Sequence, residues 1–278
     1  MRFYTDTLGL STQTFALLRD LIHERTGMIF DDAKRDLLAD KLSARVVERG
    51  FSSFLDYYYL LKYDPSASEE WPRVMDALAV PETYFWREID QIRALAEHVL
   101  PRYFEKPNPA PFRIWSAACC TGEEPLSILI MLKETGWLER APIEVHASDA
   151  SPALVARAKL GVYRERSFRA LPQELRDKYF TQEGGLWRVS PDLLSRIRFS
   201  TANLLGAEVE ELAAAHAIFC RNVFIYFSPE SIRRVLGVFH RRMLPPGCLL
   251  VGVSESLLRF TDAFRLVEIG NAFAYIKA

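Results

Sequence analysis

No run of the 278 residues approaches the roughly 18 consecutive apolar residues that a membrane-spanning helix needs, so membrane insertion is not expected. Met1 to Phe15 lacks a basic start followed by an apolar stretch, which argues against a secretory leader and for a cytoplasmic protein. Cysteine is scarce. The four residues, Cys119, Cys120, Cys220 and Cys248, show no C-x-x-C spacing and lie at or inside expected strands. That pattern argues against a zinc site or a disulfide framework and for reduced, buried small hydrophobes. Nor is there an excess of charge of one sign: 35 Lys and Arg face 36 Asp and Glu, for a net charge of -1. Bulk nucleic-acid binding needs a basic surplus and is not expected. Internal repeats and low-complexity tracts are absent too.

Glycine is scarce where it would matter most. Arg113-Ile114-Trp115-Ser116-Ala117-Ala118-Cys119-Cys120-Thr121-Gly122-Glu123-Glu124 reads as a buried strand, a tight loop and a helix that opens on two acids. A dinucleotide fingerprint has three glycines there and keeps negative charge away from the pyrophosphate. This loop has one glycine, and acids where the phosphates would lie. A cationic or neutral nucleoside suits it better, and S-adenosylmethionine is the common cofactor of that description. Glu123 and Glu124 also fit ordinary capping of a helix N-terminus, worth about 0.3 to 1 kcal/mol.

Helical patterning fills the chain to about residue 79, over Thr12 to Thr26, Asp31 to Arg49, Phe51 to Leu61 and Trp71 to Leu78, with a turn-rich stretch at Tyr63 to Glu70 marking a loop near the boundary. From Phe112 short apolar runs alternate with helical stretches: Phe112 to Cys119, Ile143 to Asp149, Ile197 to Asn203, Ala217 to Phe227 and Cys248 to Glu255. Alternation of this kind predicts a parallel sheet covered by helices on both faces. Phe264 to Ile269 and Ala272 to Ile276, separated by Gly270-Asn271, predict a closing antiparallel hairpin. Residues 161–196 read as a small inserted β-subdomain. The expected organisation is an all-α N-terminal domain over 1–79 and an α/β, Rossmann-like sheet over 80–278. Its antiparallel close is the variant of the doubly wound fold found in S-adenosylmethionine methyltransferases but, mixed sheets being common, decides little alone.

Four further groups of residues can carry chemistry. Asp149, at the tip of the second strand, can accept both hydroxyls of a ribose, in an NAD site or an S-adenosylmethionine site alike, or it can cap the next helix. Arg221 and Asn222 interrupt an apolar run where burial without partners is costly, which predicts that they sit at the strand's carboxyl end facing the cleft; Tyr226 could aim its hydroxyl at a substrate or find a local partner. In the linker Val80 to Glu88, three consecutive aromatics predict packing by Tyr84 or Trp86, and Arg87 close to a cleft can hold a carboxylate in a fixed orientation. Lys34, Lys41, Arg45 and Arg49 fall within an arc of roughly 80° on one helix. That stripe reads as a solvated face or as a dock for an acidic protein surface.

Taken together, Thr83 to Glu88, Trp115-Ser116-Ala117 through Thr121-Gly122-Glu123-Glu124-Pro125, Ser148-Asp149, Ala202-Asn203-Leu204-Leu205 and Phe219 to Phe227 resemble, in order and spacing, the motifs of chemotaxis receptor methyltransferases of the CheR family. The resemblance covers nearly the whole chain from about residue 12. It implies an S-adenosylmethionine-dependent protein-glutamate O-methyltransferase, needing no metal, that acts on methyl-accepting chemoreceptors, with a monomer as the expected state. By similarity, Glu124 and Asp149 contact the cofactor. So do Thr83, Asn203, Leu204, Cys220 and Arg221, with Asn222 adjacent, while Arg87 and Tyr226 are candidates for holding the cofactor and the incoming carboxylate. The basic helix would match the family's receptor-facing domain. Two departures stand out: Pro81 occupies a position where the family often has Asn, and the turn at Gln182 to Gly185 is short relative to members whose β-subdomain grips a receptor tether. Independence from such a tether is therefore expected.

The chemistry agrees with the residues. A surface glutamate, with a reference pKa of about 4.3, is already ionised at neutral pH, so its methylation requires no general base. Alternative readings are an NAD-dependent oxidoreductase, against which the single Gly122 argues, and a catalytically silent adaptor that senses S-adenosylmethionine at a signalling array.

Overall fold

Ser11 starts the first helix by accepting the N–H of Thr14 on its hydroxyl at 3.1 Å, and Gly27, at φ 77°, ends it. The computed structural model describes residues 8–107 and 109–278. The part of the helical domain expected before Leu8, and the reading of Met1 to Thr7 as lacking a leader, fall outside the described residues. Four helices follow one another, α1 (Thr12–Thr26), α2 (Arg35–Glu48), α3 (Phe54–Tyr63) and α4 (Ala67–Leu78). They bury Leu18, Ile22, Leu38, Leu42, Val46, Phe54, Tyr57, Val74 and Leu78 in one apolar cluster. The loop expected over 63–70 is shorter, because Glu69 and Glu70 stand in the first turn of α4. Glu70 turns inward at 3 % exposure, where both oxygens accept from Arg45 at 2.9 Å and Oε1 accepts the Tyr57 hydroxyl at 2.7 Å. A carboxylate buried with two donors is satisfied, and sequence periodicity gives no sign of it.

Beyond the linker come α5 (Ile89–Ala94), a π-helical turn (Leu95–Val99), α6 (Leu100–Phe104), β1 (Phe112–Ala117), α7 (Glu123–Glu134), α8 (Trp137–Arg140), β2 (Ile143–Asp149) and α9 (Pro152–Leu160). The chain continues through β3 (Val162–Tyr163), α10 (Gln173–Tyr179), β4 (Phe180–Glu183), β5 (Leu186–Val189), α11 (Pro191–Leu194), β6 (Ile197–Thr201) and α12 (Val209–Leu212). It ends with β7 (Ala217–Phe219), α13 (Pro229–Arg242), β8 (Cys248–Leu250), β9 (Phe264–Ile269) and β10 (Ala272–Lys277). No described helix is long and apolar enough to cross a membrane.

The main sheet has the order β6-β2-β1-β7-β8-β10-β9; its first five strands are parallel, and β10 and β9 close it antiparallel, as the Gly270-Asn271 turn predicts. β1 lies between β2 and β7, so the strand order reverses beside it. The crevice at such a switch point, outside the strands' carboxyl ends, is where an open α/β sheet holds its ligand. Trp115 on β1 is fully buried, and its indole N–H donates to Ser148 Oγ on β2 at 3.0 Å. A second sheet, β3-β5-β4, forms the inserted subdomain.

Phe85 fastens that subdomain to the linker. It is fully buried, stacks on Phe168 at 5.0 Å and meets Tyr163 and Phe180 edge-on at 4.8 and 5.0 Å. Trp86 packs partly buried against the main core, as expected, but the fully buried anchor of the three is Phe85. Tyr84 lies instead under the Arg169 guanidinium at 3.7 Å.

Candidate active site

Strand β1 ends in a loop that reverses sharply, with Ala118 at φ 63°, Cys120 at φ 53° and Gly122 at φ 93°. A Cβ on Gly122 would stand 3.1 Å from both Ala158 Cβ and the Tyr163 hydroxyl, so close packing as well as backbone sign selects glycine there. Helix α7 then opens on the two acids, and the structure separates their roles. Glu123, 2 % exposed, accepts the hydroxyls of Thr121 at 2.6 Å and Ser167 at 3.0 Å, and burial raises its pKa above the ordinary carboxylate range. It ties the loop to the inserted subdomain. Glu124 reaches the cleft wall, accepting Ser116 Oγ on Oε1 and Arg221 Nε on Oε2, both at 2.6 Å.

Arg221 follows the end of β7 in the sequence, and its side chain is only 3 % exposed. Besides Glu124, its guanidinium reaches the Glu88 carbonyl and Gln91 Oε1, each at 3.3 Å, and Gln91 in turn donates to the Val251 carbonyl at 2.8 Å. β7 stops at Phe219, earlier than the apolar run to Phe227 suggests. Asn222 turns the chain at φ 59°, and Phe224–Tyr226 form a 3-10 turn.

Asp149 closes the cleft on the other side. Its Oδ2 accepts the Cys120 N–H and its Oδ1 the Ser151 N–H, each at 2.9 Å, so it braces the loop after β1 while keeping lone pairs for a ligand. The helix cap that could have claimed it belongs to Ser151, whose hydroxyl accepts the Leu154 N–H at 3.1 Å. Burial raises the Asp149 pKa, opposed by the backbone N–H groups it accepts.

The cleft has about 1060 Å³ of non-atom space, counting solvent at its mouth. Thr83, Arg87, Glu124, Asp149, Asn203, Leu204, Arg221, Asn222 and Tyr226 all line it. Arg87 donates to the Glu82 carbonyl at 3.0 Å, leaving most of its five N–H groups for other partners. Cys220 does not belong to the lining. Its side chain is fully buried behind the cleft, because Cys220 still pairs with β8 through its N–H to Leu250 O at 2.9 Å.

The helical domain supplies walls that periodicity does not reveal, Thr26, Met28, Met75 and Ala79, and the linker adds Val80. They are held in place by bonds between the domains. Asn203 Nδ2 donates to Arg25 O at 2.7 Å, the Ile29 N–H to Tyr226 O at 2.9 Å, and the Ser228 N–H to Gly27 O at 3.1 Å. A Cβ on Gly27 would press to 3.0 Å from the Phe227 ring; a glycine ending a helix beside the boundary is the one visible signal of this close approach.

Comparison with known proteins bears directly on this arrangement. Residues 81–273 match the family model for the CheR methyltransferase SAM-binding domain, and residues 13–79 that for the CheR methyltransferase all-alpha domain. The chain belongs to the CheR methyltransferase family. It is 36% identical to chemotaxis protein methyltransferase 2 of Vibrio cholerae over 267 residues, covering 95% of this chain and 92% of that one. Against the chemotaxis protein methyltransferase of Escherichia coli the identity is 34% over 266 residues, 94% and 91% of the two chains. Against chemotaxis protein methyltransferase 1 of Pseudomonas aeruginosa it is 31% over 275 residues, 96% and 99%.

In this CheR chain the basic stripe on α2 faces inward more than the helical arc suggests. The Lys41 ammonium donates to the carbonyls of Ala77, Leu78 and Ala79 at 3.3, 3.1 and 3.2 Å, capping the end of α4, and burial lowers its pKa. Arg45 grips Glu70 with two bonds and also meets Glu48. These two residues clamp α2 to α4 rather than present free cations. Lys34 lies in the 3-10 turn before α2, 3.4 Å from Asp31, and Arg49 bonds Ser66 at 3.3 Å and also reaches Glu70 at 3.7 Å, so both are paired and only partly exposed, at 48 and 36 %.

Proposed function

We propose that the protein transfers the methyl group of S-adenosylmethionine to glutamate side chains on the cytoplasmic helices of chemoreceptors, forming methyl esters. The observation that carries this reading is the pairing, in one cleft, of a ribose-type acceptor at Asp149 with an orienting guanidinium at Arg87 and a phenol at Tyr226. The donor set fits the cofactor: a carboxylate with spare lone pairs at the tip of β2, a glycine-poor loop bearing acids instead of a phosphate cradle, and apolar walls at Met28, Leu154 and Leu204. When bound, the cofactor supplies a methyl group on a positively charged sulfur. The protein's own residues have the remaining tasks.

A glutamate arriving at neutral pH already carries its negative charge, so no residue here has to remove a proton. Arg87 can hold one carboxylate oxygen while the other stays free to react, and Tyr226 can donate a hydrogen bond that fixes the second coordinate of the approach. Pairing stronger than this would stabilise the resting complex and slow transfer. Glu124 and Arg221 neutralise each other across the floor. The names of the relatives support a chemotaxis methyltransferase, and no observation favours a silent adaptor.

Incubation with methyl-labelled S-adenosylmethionine and a chemoreceptor cytoplasmic fragment tests the reading. Label is expected in the fragment as a base-labile ester that releases methanol. Arg87→Ala is expected to lower kcat/KM by about 100-fold, with Arg87→Lys a poor substitute because an ammonium lacks the planar fork. Base-stable label, or equal transfer by wild type and Arg87→Ala, counts against it.

A further inference from the structure

Glu255 lies outside the cleft lining, in the turn after β8, and is 9 % exposed. Its carboxylate is spent on backbone. Oε2 accepts the N–H groups of Asn222 and Gly252, both at 2.7 Å, and Oε1 accepts that of Ile225 at 3.3 Å. The Glu255 N–H closes its own turn on the Gly252 carbonyl at 2.8 Å. Gly252 sits hard against the same loop, since a Cβ there would fall 2.5 Å from Asn222 Nδ2. One carboxylate thus receives two N–H groups from the loop that carries Asn222, in the left-handed region at φ 59°, and Tyr226 into the cleft. Asparagine tolerates that backbone angle better than other residues with a side chain, and the bond from its N–H to Glu255 helps to hold it there.

We propose that Glu255 is a positioning residue for methyl transfer, its two oxygens holding the Asn222–Tyr226 loop so that the Tyr226 hydroxyl meets the substrate carboxylate. The proposal rests on the reading of this cleft as the methyl-transfer site. Chemistry explains why a carboxylate is needed. Glutamine has the same shape but only one accepting oxygen, and its NH2 group would confront either Ile225 N–H or the N–H pair of Asn222 and Gly252. An aspartate is one methylene too short to reach both sides.

The test uses the full chain as wild type, Glu255→Gln, Glu255→Asp, Tyr226→Phe and the double variant Glu255→Gln/Tyr226→Phe. Initial rates are measured on a chemoreceptor cytoplasmic fragment, alongside backbone hydrogen exchange. Glu255→Gln is expected to lower kcat by about tenfold or more with KM for the fragment within about twofold, and to add less than about twofold to the loss in Tyr226→Phe. The amides of Asn222 and Ile225 should exchange faster while β1 and β2 keep wild-type protection. A kcat within about twofold of wild type, or a loss that multiplies with that of Tyr226→Phe, overturns the proposal, since a carboxylate supporting only the fold behaves in that way. Should Glu255→Gln not fold, Glu255→Asp carries the same comparison. Hydrogen exchange needs no methyl acceptor. Unchanged exchange at Asn222 and Ile225 therefore overturns the positioning role by itself, whereas a wild type that transfers no label defeats only the reading of the cleft.

Discussion

Glu124 Oε2 and Arg221 Nε lie 2.6 Å apart at the floor of the cleft, joining the first turn of α7 to the segment after β7 across 97 residues of sequence. Both side chains are nearly buried, at 12 and 3 % exposure. Removing one partner from such a pair leaves an uncompensated charge and costs about 3 to 5 kcal/mol, whereas removing both costs much less than the sum. Glu124→Ala is therefore expected to lose about 3 kcal/mol in chemical denaturation, and the Glu124→Ala/Arg221→Ala double variant less than the two single losses added. Additive losses would show that the two groups do not hold each other. S-adenosylhomocysteine affinity, measured by calorimetry, should fall in all three, because the pair lines the cleft proposed to hold the cofactor.

That pair also marks where the sequence ceases to be legible. The loop after β1, the acid at the tip of β2 and the polar residues ending β7 are readable because apolar strands must stop where charge begins, and an open sheet places those ends together. Fold class and closing hairpin follow from the same alternation. Who bonds whom does not. That Glu124 also pairs with Arg221 is not readable, since nothing local in either segment encodes the other. Periodicity puts Lys41 and Arg45 on one face of α2, but a helical arc does not say whether that face meets solvent or α4. Phe85 is hidden for the opposite reason: among three adjacent aromatics, only tertiary packing chooses the anchor. Cys220 is expected in the site only by similarity to the family's motif, and its side chain lies in the core instead.

Asp76 makes the cleft depend on how the helical domain is seated. Its Oδ1 accepts the Ser151 hydroxyl at 2.6 Å and the Ala153 N–H at 2.9 Å, placing a carboxylate from α4 at the N-terminus of α9. Met75 and Ala79, on either side of it, are cleft walls. Asp76→Ala should destabilise the protein by about 1 to 2 kcal/mol and weaken S-adenosylhomocysteine binding measurably, with Asp76→Asn intermediate. A stability loss with unchanged affinity would mean that this latch does not shape the site.

The inserted subdomain bears on tether use. β4 and β5 have four residues each and are joined by Gly184-Gly185 alone, both at positive φ, which is about the shortest connection an antiparallel pair accepts. We expect methylation of a receptor fragment to proceed at the same rate, within about twofold, whether or not a C-terminal tether peptide is present. Micromolar binding of such a peptide in a pulldown would contradict this.

Acid should find a weak point far from the cleft, at His216. This residue, 5 % exposed, stacks on Phe112 at 4.9 Å; its Nδ1 accepts the Arg113 N–H at 2.9 Å and its Nε2 meets the Tyr103 hydroxyl at 3.2 Å. A ring nitrogen that accepts a backbone N–H carries no proton, so His216 is neutral in the fold. Burial, helped by the nearby charges of Arg113 and Lys106, lowers its pKa from 6.5 to about 4. Because the folded value lies below the unfolded one, the unfolded chain takes up the proton first as pH falls. The stability His216 contributes is complete above the unfolded value and is lost progressively toward the folded one, amounting to about 3 kcal/mol at the lower end. Asp149 and Glu123, whose pKa values are raised by burial, act in the opposite sense: their ionised forms are disfavoured in the fold, and acidification relieves that penalty. The difference between wild type and His216→Gln isolates the histidine. Its unfolding free energy, followed by denaturant titration from pH 7 to pH 4, should shrink by about 3 kcal/mol, and a constant difference across that range would mean that His216 titrates in the fold as it does in the unfolded chain.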